Sequence, residues 1–446
     1  MTVSVETSSA DLTTWDATTV ADRCRAGDVS VREVAAAVLE RVAERDEQVR
    51  AWAFLDPELV MAQARELDAR EERGPLHGVP VGIKDVIDTA DMPTAHNTAR
   101  YAGSRPGVDA ASVDTLRAAG ALIVGKTTTT EFAATSDGGP TRNPHDPTRT
   151  PGGSSSGSGA AVADRQCALA LGTQTGGSTI RPGSFNGIFA WKPTWGVVSR
   201  EGAKVYAVSL DTIGMYARSA RDLALLADVY RLDASTQPLS GSWQGVRVGV
   251  CRTPYWSAAT EATELAIARA SDALTKAGAV IVPFDLPETF DDISAVHRTI
   301  MRREGRAAFL NEYVQTPGLG RFFQDLVENA PSVDLASGDP LPSDPAGIRA
   351  AYRTADALRA ELDDLQADVD VVLAPSSTGE APVGLQGTGS AVFNSPWTLM
   401  QVPVVNVPGL RGPEGMPVGV SLVGRRYEDR AVIHYAGLLG DLLSVS

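Results

Sequence analysis

The segment from Thr150 to Arg181, TPGGSSSGSGAAVADRQCALALGTQTGGSTIR, constrains the fold and chemistry of this chain more than any other. It holds two glycine-flanked serine clusters, GGSSSGSG from Gly152 and GTQTGGS from Gly172, joined by an apolar run over 160–171. A flexible Gly/Ser linker would not normally carry such a run between its halves. Glycine lets the backbone approach a ligand closely, and backbone N–H groups can stabilise an oxyanion. The segment therefore indicates acyl-transfer chemistry rather than a linker.

Strand and helix patterns alternate on both sides of this segment. Helical spacing predicts helices at Val29–Val42, Pro57–Arg73, Ala110–Ala119 and Thr263–Ala277, and short β-branched runs predict strands at His77–Asp88, Ala121–Val124, Val246–Val250 and Val418–Val423. Alternation of this kind is typical of α/β proteins, in which helices cover a largely parallel sheet. We therefore predict one α/β domain over residues 1–446, with a central twisted mixed sheet, mostly parallel, and helices on both faces. Its core spans about 77–230, and a helical insertion spans about 290–365.

Composition excludes several classes of partner. The chain of 446 residues is 43% hydrophobic and 21% charged, which is typical of a globular protein with a large core. Its net charge of −15 argues against nucleic acid and anionic membranes as partners. No apolar run approaches the length of a membrane span, and three scattered cysteines favour a reducing, cytoplasmic compartment. The five histidines show no metal-binding spacing, so we expect no histidine-based metal site. We also expect no cofactor.

Two short motifs match patterns whose structural context is missing. GALIVGKT (120–127) matches a phosphate-binding loop, but its central residues favour a core strand. GSSSG (153–157) matches a nucleophile elbow centred on Ser155, but NPHDPTRTPG before it cannot form the required strand. A nucleotide site and a Ser-His-Asp hydrolase are therefore both disfavoured.

Lys84 is the candidate base. A serine becomes a nucleophile at neutral pH only beside a base, and a lysine serves only when it is uncharged. Burial lowers a lysine pKa, and Lys84 lies within the apolar run VGIK, with no other Lys or Arg between Arg73 and Arg100. The alternative is a strand-end lysine that extends to water. Asp85, its neighbour, points to the opposite face of a strand and need not keep Lys84 charged.

Several further motifs follow one another along the chain. GVPVGIKDVIDT, GKTTTTEFA, PGGSSSGSGAAVA, LGTQTGGSTIRPGSFNGIFAWKPTWG and FNSPWTLMQVPVVNVPG together resemble the amidase signature family, from about residue 15 to 443. The resemblance implies a Ser–cis-Ser–Lys triad: Ser178 is the nucleophile, Ser154 the bridging serine after a cis Gly153–Ser154 peptide, and Lys84 the base. It also implies an oxyanion hole made by the N–H groups of Thr175, Gly176, Gly177 and Ser178. Further substrate-binding candidates are Arg181, Gly153, Ser155 and Thr135.

The chain departs from the commonest family pattern at two positions. Gln174 stands where many members have Asp, and Asn186 where many have Cys. The motif sequences are most similar to those of the family's malonamate-cleaving members. However, the stretch FAATSDGG has no counterpart of the second carboxylate-binding arginine of those members. Thr135–Gly139 instead suggests a more open or less charged pocket. We therefore expect hydrophobic or aryl amides and small urethanes as substrates.

The resemblance implies a hydrolase of carboxylic amides that forms an acyl-enzyme, with side activity on esters and carbamates. Its partner would be a small-molecule substrate, and the chain would be a monomer or a homodimer. Two alternatives stay open: one component of a transamidase complex, such as the tRNA-dependent amidotransferase, and a Ser-His-Asp esterase.

Overall fold

One β-sheet runs through the described part of the protein. The computed structural model describes residues 12–236, 239–316 and 319–444. Eleven strands within them pair in the order β1-β3-β2-β4-β6-β5-β10-β11-β9-β7-β8. Their bounds are β1 Trp52–Leu55, β2 Pro80–Lys84, β3 Leu122–Thr127, β4 Leu169–Gln174, β5 Phe189–Lys192, β6 Thr212–Ala217, β7 Arg247–Val250, β8 Val280–Pro283, β9 Val371–Pro375, β10 Val404–Arg411 and β11 Pro417–Val423.

The sheet is mixed, as predicted, but it is not mostly parallel. Strand β2 pairs in parallel with β3 and β4, and β7 with β8 and β9. The other six pairings among the described strands are antiparallel. The sequence pattern missed β1, β5, β6 and β10. Of these, β5 and β6 are short runs that are buried throughout, so they show no alternation. Strands β10 and β11 are joined by the short connection 412–416, and such a connection permits only antiparallel pairing.

Helices form where the apolar spacing predicts them. Their bounds are α1 Ala17–Ala26, α2 Val31–Val49, α3 Pro57–Asp68, α4 Ala111–Ala118, α5 Ser156–Ala163, α6 Ile180–Asn186, α7 Ala220–Val229, α8 Glu261–Lys276, α9 Ile293–Ala308, α10 Leu310–Gln315, α11 Arg321–Val327, α12 Pro345–Leu365, α13 Ser395–Leu399 and α14 Asp429–Ser444. Local sequence defines some ends closely: Ser30 and Glu33 form a reciprocal capping box at the start of α2. The predicted insertion contains α9–α12. None of these helices is long and apolar enough to span a bilayer.

Helices cover both faces of the sheet. In β9, Val371 and Leu373 belong to a core shared with α1, α2, α7, α8 and α14, whereas Val372 and Ala374 belong to a second core shared with α9 and α12. Because neighbouring side chains of a strand point to opposite faces, the two cores lie on opposite sides. The predicted α/β architecture is therefore confirmed.

The topology brings the key segments together. Strands β2 and β4 are parallel neighbours, so their carboxyl ends lie at the same edge of the sheet. Lys84 is the last residue of β2, and the second serine cluster continues directly from the end of β4. The first cluster leads into α5, which packs on β2 and β4. Ligand sites in α/β sheets commonly form at the carboxyl ends of strands.

Candidate active site

Lys84 is completely buried at the end of β2. Its Nζ lies 2.7 Å from Ser154 Oγ and 2.7 Å from Thr173 Oγ1, and none of the described acids forms an ion pair with it. Burial lowers its pKa well below the usual value, and the charge of Asp211 opposes that shift. The full burial excludes the alternative of a lysine that extends to water. The amine is therefore placed to accept a proton from a hydroxyl.

Asp85 faces a different lysine. Its carboxylate lies 3.4 Å from the Nζ of Lys126 on β3 and accepts a hydrogen bond from the backbone N–H of Ala95. Lys126 also donates to Thr94 Oγ1 at 2.6 Å. Burial raises the pKa of Asp85 and lowers that of Lys126, while each opposes the shift of the other. The adjacent Lys84 and Asp85 therefore belong to separate networks, as strand alternation predicted.

The first serine loop is held by Arg181. The Gly153–Ser154 peptide is cis, as the resemblance implied. Arg181 Nη2 donates to the carbonyl oxygen of Gly153 at 2.6 Å and to Thr388 Oγ1 at 3.1 Å. The guanidinium is buried, and burial lowers its pKa to about 10. Arg181 thus anchors the backbone immediately before Ser154.

Ser155 joins the two loops. Its hydroxyl donates to the carbonyl of Thr173 and accepts from the N–H of the same residue, both at 3.2 Å. The side chain is fully buried, which favours a structural role over substrate contact. The hydroxyl of Thr135, another candidate, is buried and has no hydrogen-bond partner in the described residues.

The loop of residues 175–178, which we call the amide loop, has a polarised backbone. Each of its four carbonyl oxygens accepts a hydrogen bond; the donors are, in chain order, His297 Nε2 at 2.8 Å, Thr398 Oγ1 at 2.7 Å, the N–H of Arg181 at 3.1 Å and Tyr216 Oη at 3.1 Å. The N–H groups of Gly176, Gly177 and Ser178 donate to no group among the described residues. Hydrogen bonds to the carbonyl oxygens hold the loop in place. Its unpaired N–H groups can then donate to a developing oxyanion.

The two departures from the usual motif act on the loops themselves. Gln174 Oε1 accepts from the N–H groups of Thr179 and Ile180 at 2.9 and 3.0 Å, so it caps the start of α6. Its Nε2 donates to Thr398 Oγ1. Asn186 Nδ2 donates to the carbonyls of Pro151 and Pro182, both at 2.7 Å. At both positions the side-chain amide donates a hydrogen bond, which a carboxylate cannot do.

Asp211 and His297 are among the site residues that were not found from the sequence. Asp211 accepts from Thr175 Oγ1 at 2.6 Å, and burial raises its pKa to about 6. His297, on α9, is buried, and burial lowers its pKa to about 4, so the ring is neutral. Its Nε2 must carry the proton, because the carbonyl of Thr175 can only accept. No local pattern marks His297, which contacts the loop across 122 residues of chain.

Ser178 begins the turn that leads into α6 and is half-buried. Its hydroxyl makes no hydrogen bond to any group that the structure describes, and none joins it to Ser154. Over the same residues, no histidine ring bonds a serine hydroxyl: His145 contacts the carbonyl of Asn186 and His434 that of Ser240. The Ser-His-Asp alternative therefore lacks its geometry. No group of three or more potential metal ligands occurs in the described ranges.

Comparison with known proteins identifies the family to which this fold and these loops belong. A family model described as Amidase matches residues 33–433, and the chain belongs to this family. The family resemblance stated from the motifs is thus confirmed.

Named relatives fall into two groups. The chain is 33% identical over 460 aligned residues to the A subunit of glutamyl-tRNA(Gln) amidotransferase from Chloroflexus aurantiacus, covering 92% of each chain. Among solved structures, the peptide amidase of Stenotrophomonas maltophilia is 30% identical, with a TM-score of 0.78 over 98% of this chain and 97% of that one. The A subunit of the Thermotoga maritima glutamyl-tRNA(Gln) amidotransferase is 25% identical, also with a TM-score of 0.78, over 96% and 95%.

Proposed function

We propose that this chain hydrolyses carboxylic amides through an acyl-enzyme, with Ser178 as nucleophile, Ser154 as proton relay and Lys84 as base. The observation that carries the proposal is the burial of Lys84 against Ser154, without a paired acid. A lysine that ionises normally would be a poor base at neutral pH, and one buried among hydroxyls is a good one. Membership of an amide-cleaving enzyme family supports the same reaction.

The proposed reaction uses these three groups in sequence. Ser178 Oγ attacks the amide carbonyl while its proton passes to Ser154 Oγ, whose own proton passes to Lys84 Nζ. The carbonyl oxygen becomes an oxyanion that accepts hydrogen bonds from the amide loop. When the tetrahedral intermediate collapses, the C–N bond breaks and the leaving amine takes the proton back from the relay. Water then attacks the acyl-enzyme by the same path and releases the acid.

Esters and carbamates are proposed as side substrates, since only the group flanking the carbonyl changes. Monomer and homodimer both suit a chain that carries all three catalytic groups itself.

The test compares variants on a chromogenic aryl amide. Ser178→Ala and Lys84→Met should each lower kcat by at least about 10³-fold, because each removes a member of a unit that acts together. Ser136→Ala, which changes an exposed serine, is the matched control and should match wild type. A fluorophosphonate should label the Ser178 peptide alone. Wild-type turnover by Ser178→Ala, or labelling at another serine, would refute the assignment.

A second function is favoured by one observation. The relative of 33% identity belongs to a glutamyl-tRNA(Gln) amidotransferase, and the alignment covers 92% of this chain. If this chain has the same role, it delivers the released ammonia within a complex and needs partner chains. Full turnover of simple amides by the purified single chain would argue against this role; activity only with added partner chains would favour it.

A further inference from the structure

A cavity of about 340 Å³ begins at the amide loop. Gly176 forms part of its wall, and His297, Arg298 and Met301 of helix α9 form another part. Ser294, the segment before α8, residues 335–336 and residues 390–395 complete the lining with mostly small or apolar side chains. The volume is at the lower end of the range for small-molecule sites. The cavity therefore suits a compact substrate whose carbonyl reaches the amide loop.

Arg298 is the cation of this cavity. It is half-buried, and among the described residues it forms no ion pair, hydrogen bond or ring contact. Its Nε is buried without a partner. His297 beside it is neutral, with its Nε2–H committed to the carbonyl of Thr175. Burying part of a guanidinium without a partner is costly, so an unpaired arginine in a cavity wall points to an anionic ligand.

The acid whose charge acts on Arg298 already accepts hydrogen bonds from other groups. Asp334 lies close enough to influence the Arg298 pKa, but its Oδ1 accepts from Ser294 Oγ at 2.7 Å. Its Oδ2 accepts from the N–H groups of Ala336 and Ser337. Arg302, one turn along α9, adds a second positive charge and donates to the carbonyl of Ala330. Within the described ranges, no carboxylate therefore forms a hydrogen bond or an ion pair with the guanidinium of Arg298.

We infer that Arg298 binds a carboxylate at the far end of the substrate's acyl chain, so that the preferred substrates are small acidic amides. This inference rests on the proposed hydrolase function. We assign the cavity to the acyl part of the substrate, which stays on the enzyme through both steps while the amine leaves after the first. A guanidinium binds a carboxylate through two parallel hydrogen bonds, which fixes position as well as charge. The inference differs from the more open or less charged pocket expected from the sequence.

The experiment uses pairs of p-nitroanilides that differ only in the acyl end. A carboxylate is matched by an isopropyl group of similar shape, as in glutaryl and 5-methylhexanoyl anilides, over chains of three to six carbons. The wild-type enzyme should show a higher kcat/KM for the acid member at one chain length. Arg298→Gln should lower the acid-to-neutral ratio by about 10- to 100-fold, the range for hydrogen bonds to a charged group. Arg306→Gln removes one exposed charge from the same helix and should leave the ratio unchanged.

The outcomes separate the inference from the proposed function. If wild type favours the neutral member at every length, or Arg298→Gln and Arg306→Gln give equal ratios, Arg298 does not bind the substrate. If wild type cleaves neither member of any pair, the hydrolase proposal itself fails. Thermal unfolding of Arg298→Gln should match that of wild type, so that a changed ratio reports on binding.

Discussion

The amide loop contains two glycines that the structure distinguishes sharply. A Cβ added to Gly177 would lie 2.5 Å from Asn394 Oδ1 and 3.0 Å from Ala391 Cβ. A Cβ added to Gly176 would lie 3.3 Å from Ser395 Oγ and farther from everything else. Sequence reasoning treated the two glycines alike. We predict that Gly177→Ala damages catalysis severely and that Gly176→Ala is tolerated.

The size of the effect follows from the clash. The Gly177 contact is 0.9 Å shorter than the 3.4 Å at which ordinary contact begins. Asn394 cannot yield easily, because it is buried and its Nδ2 donates to the carbonyl of Ser376 at 3.0 Å. The loop must therefore move by nearly that distance. A misplacement of about 1 Å, or loss of one oxyanion donor, costs about 10²- to 10³-fold in rate.

The assay is steady-state hydrolysis of an aryl amide, with thermal unfolding as the check on folding. Gly177→Ala should lower kcat by about 10²-fold or more with a small change in KM, because the loop acts mainly in the transition state. Gly176→Ala should stay within about 10-fold of wild type, since a side-chain hydroxyl can shift by a few tenths of an ångström. Equal activity of the two variants would refute the argument that backbone position in this loop limits catalysis.

Three further predictions concern stability. Lys126→Met should lower the free energy of unfolding by about 3–5 kcal/mol, because it leaves Asp85 buried without its partner. Lys84→Met should lower it far less. Equal losses in denaturant titrations would contradict the separation of the two networks. Asp211 has its pKa raised from 3.8 to about 6, so its favourable contribution is complete below pH 3.8 and is lost as the pH rises through 6. Wild type should therefore lose about 3 kcal/mol relative to Asp211→Asn between pH 3.5 and 8, and a pH-independent difference in unfolding free energy would contradict this. Gln174→Ala should cost about 1–2 kcal/mol by uncapping α6, and Gln174→Glu, which keeps the acceptor, should lose less of that stability in the same titration.

The sequence by itself determined much of this protein. Apolar spacing identified most helices and the strands containing Lys84 and ALIV, because burial of one face imposes a period that is visible locally. The motifs identified the family, and strand alternation separated Lys84 from Asp85. These features depend on residues close together in the chain.

Tertiary structure decided what depends on distant residues. Several of the antiparallel pairings, such as β1 with β3 and β5 with β10, join strands that lie far apart along the chain, and a local pattern carries no register. Asp211 and His297 hold the amide loop from other elements, and Arg298 reaches the cavity only because α9 packs beside that loop. The difference between Gly176 and Gly177 is set by Asn394, which lies in a distant part of the chain. Such contacts are set by packing, which no spacing within one segment can encode.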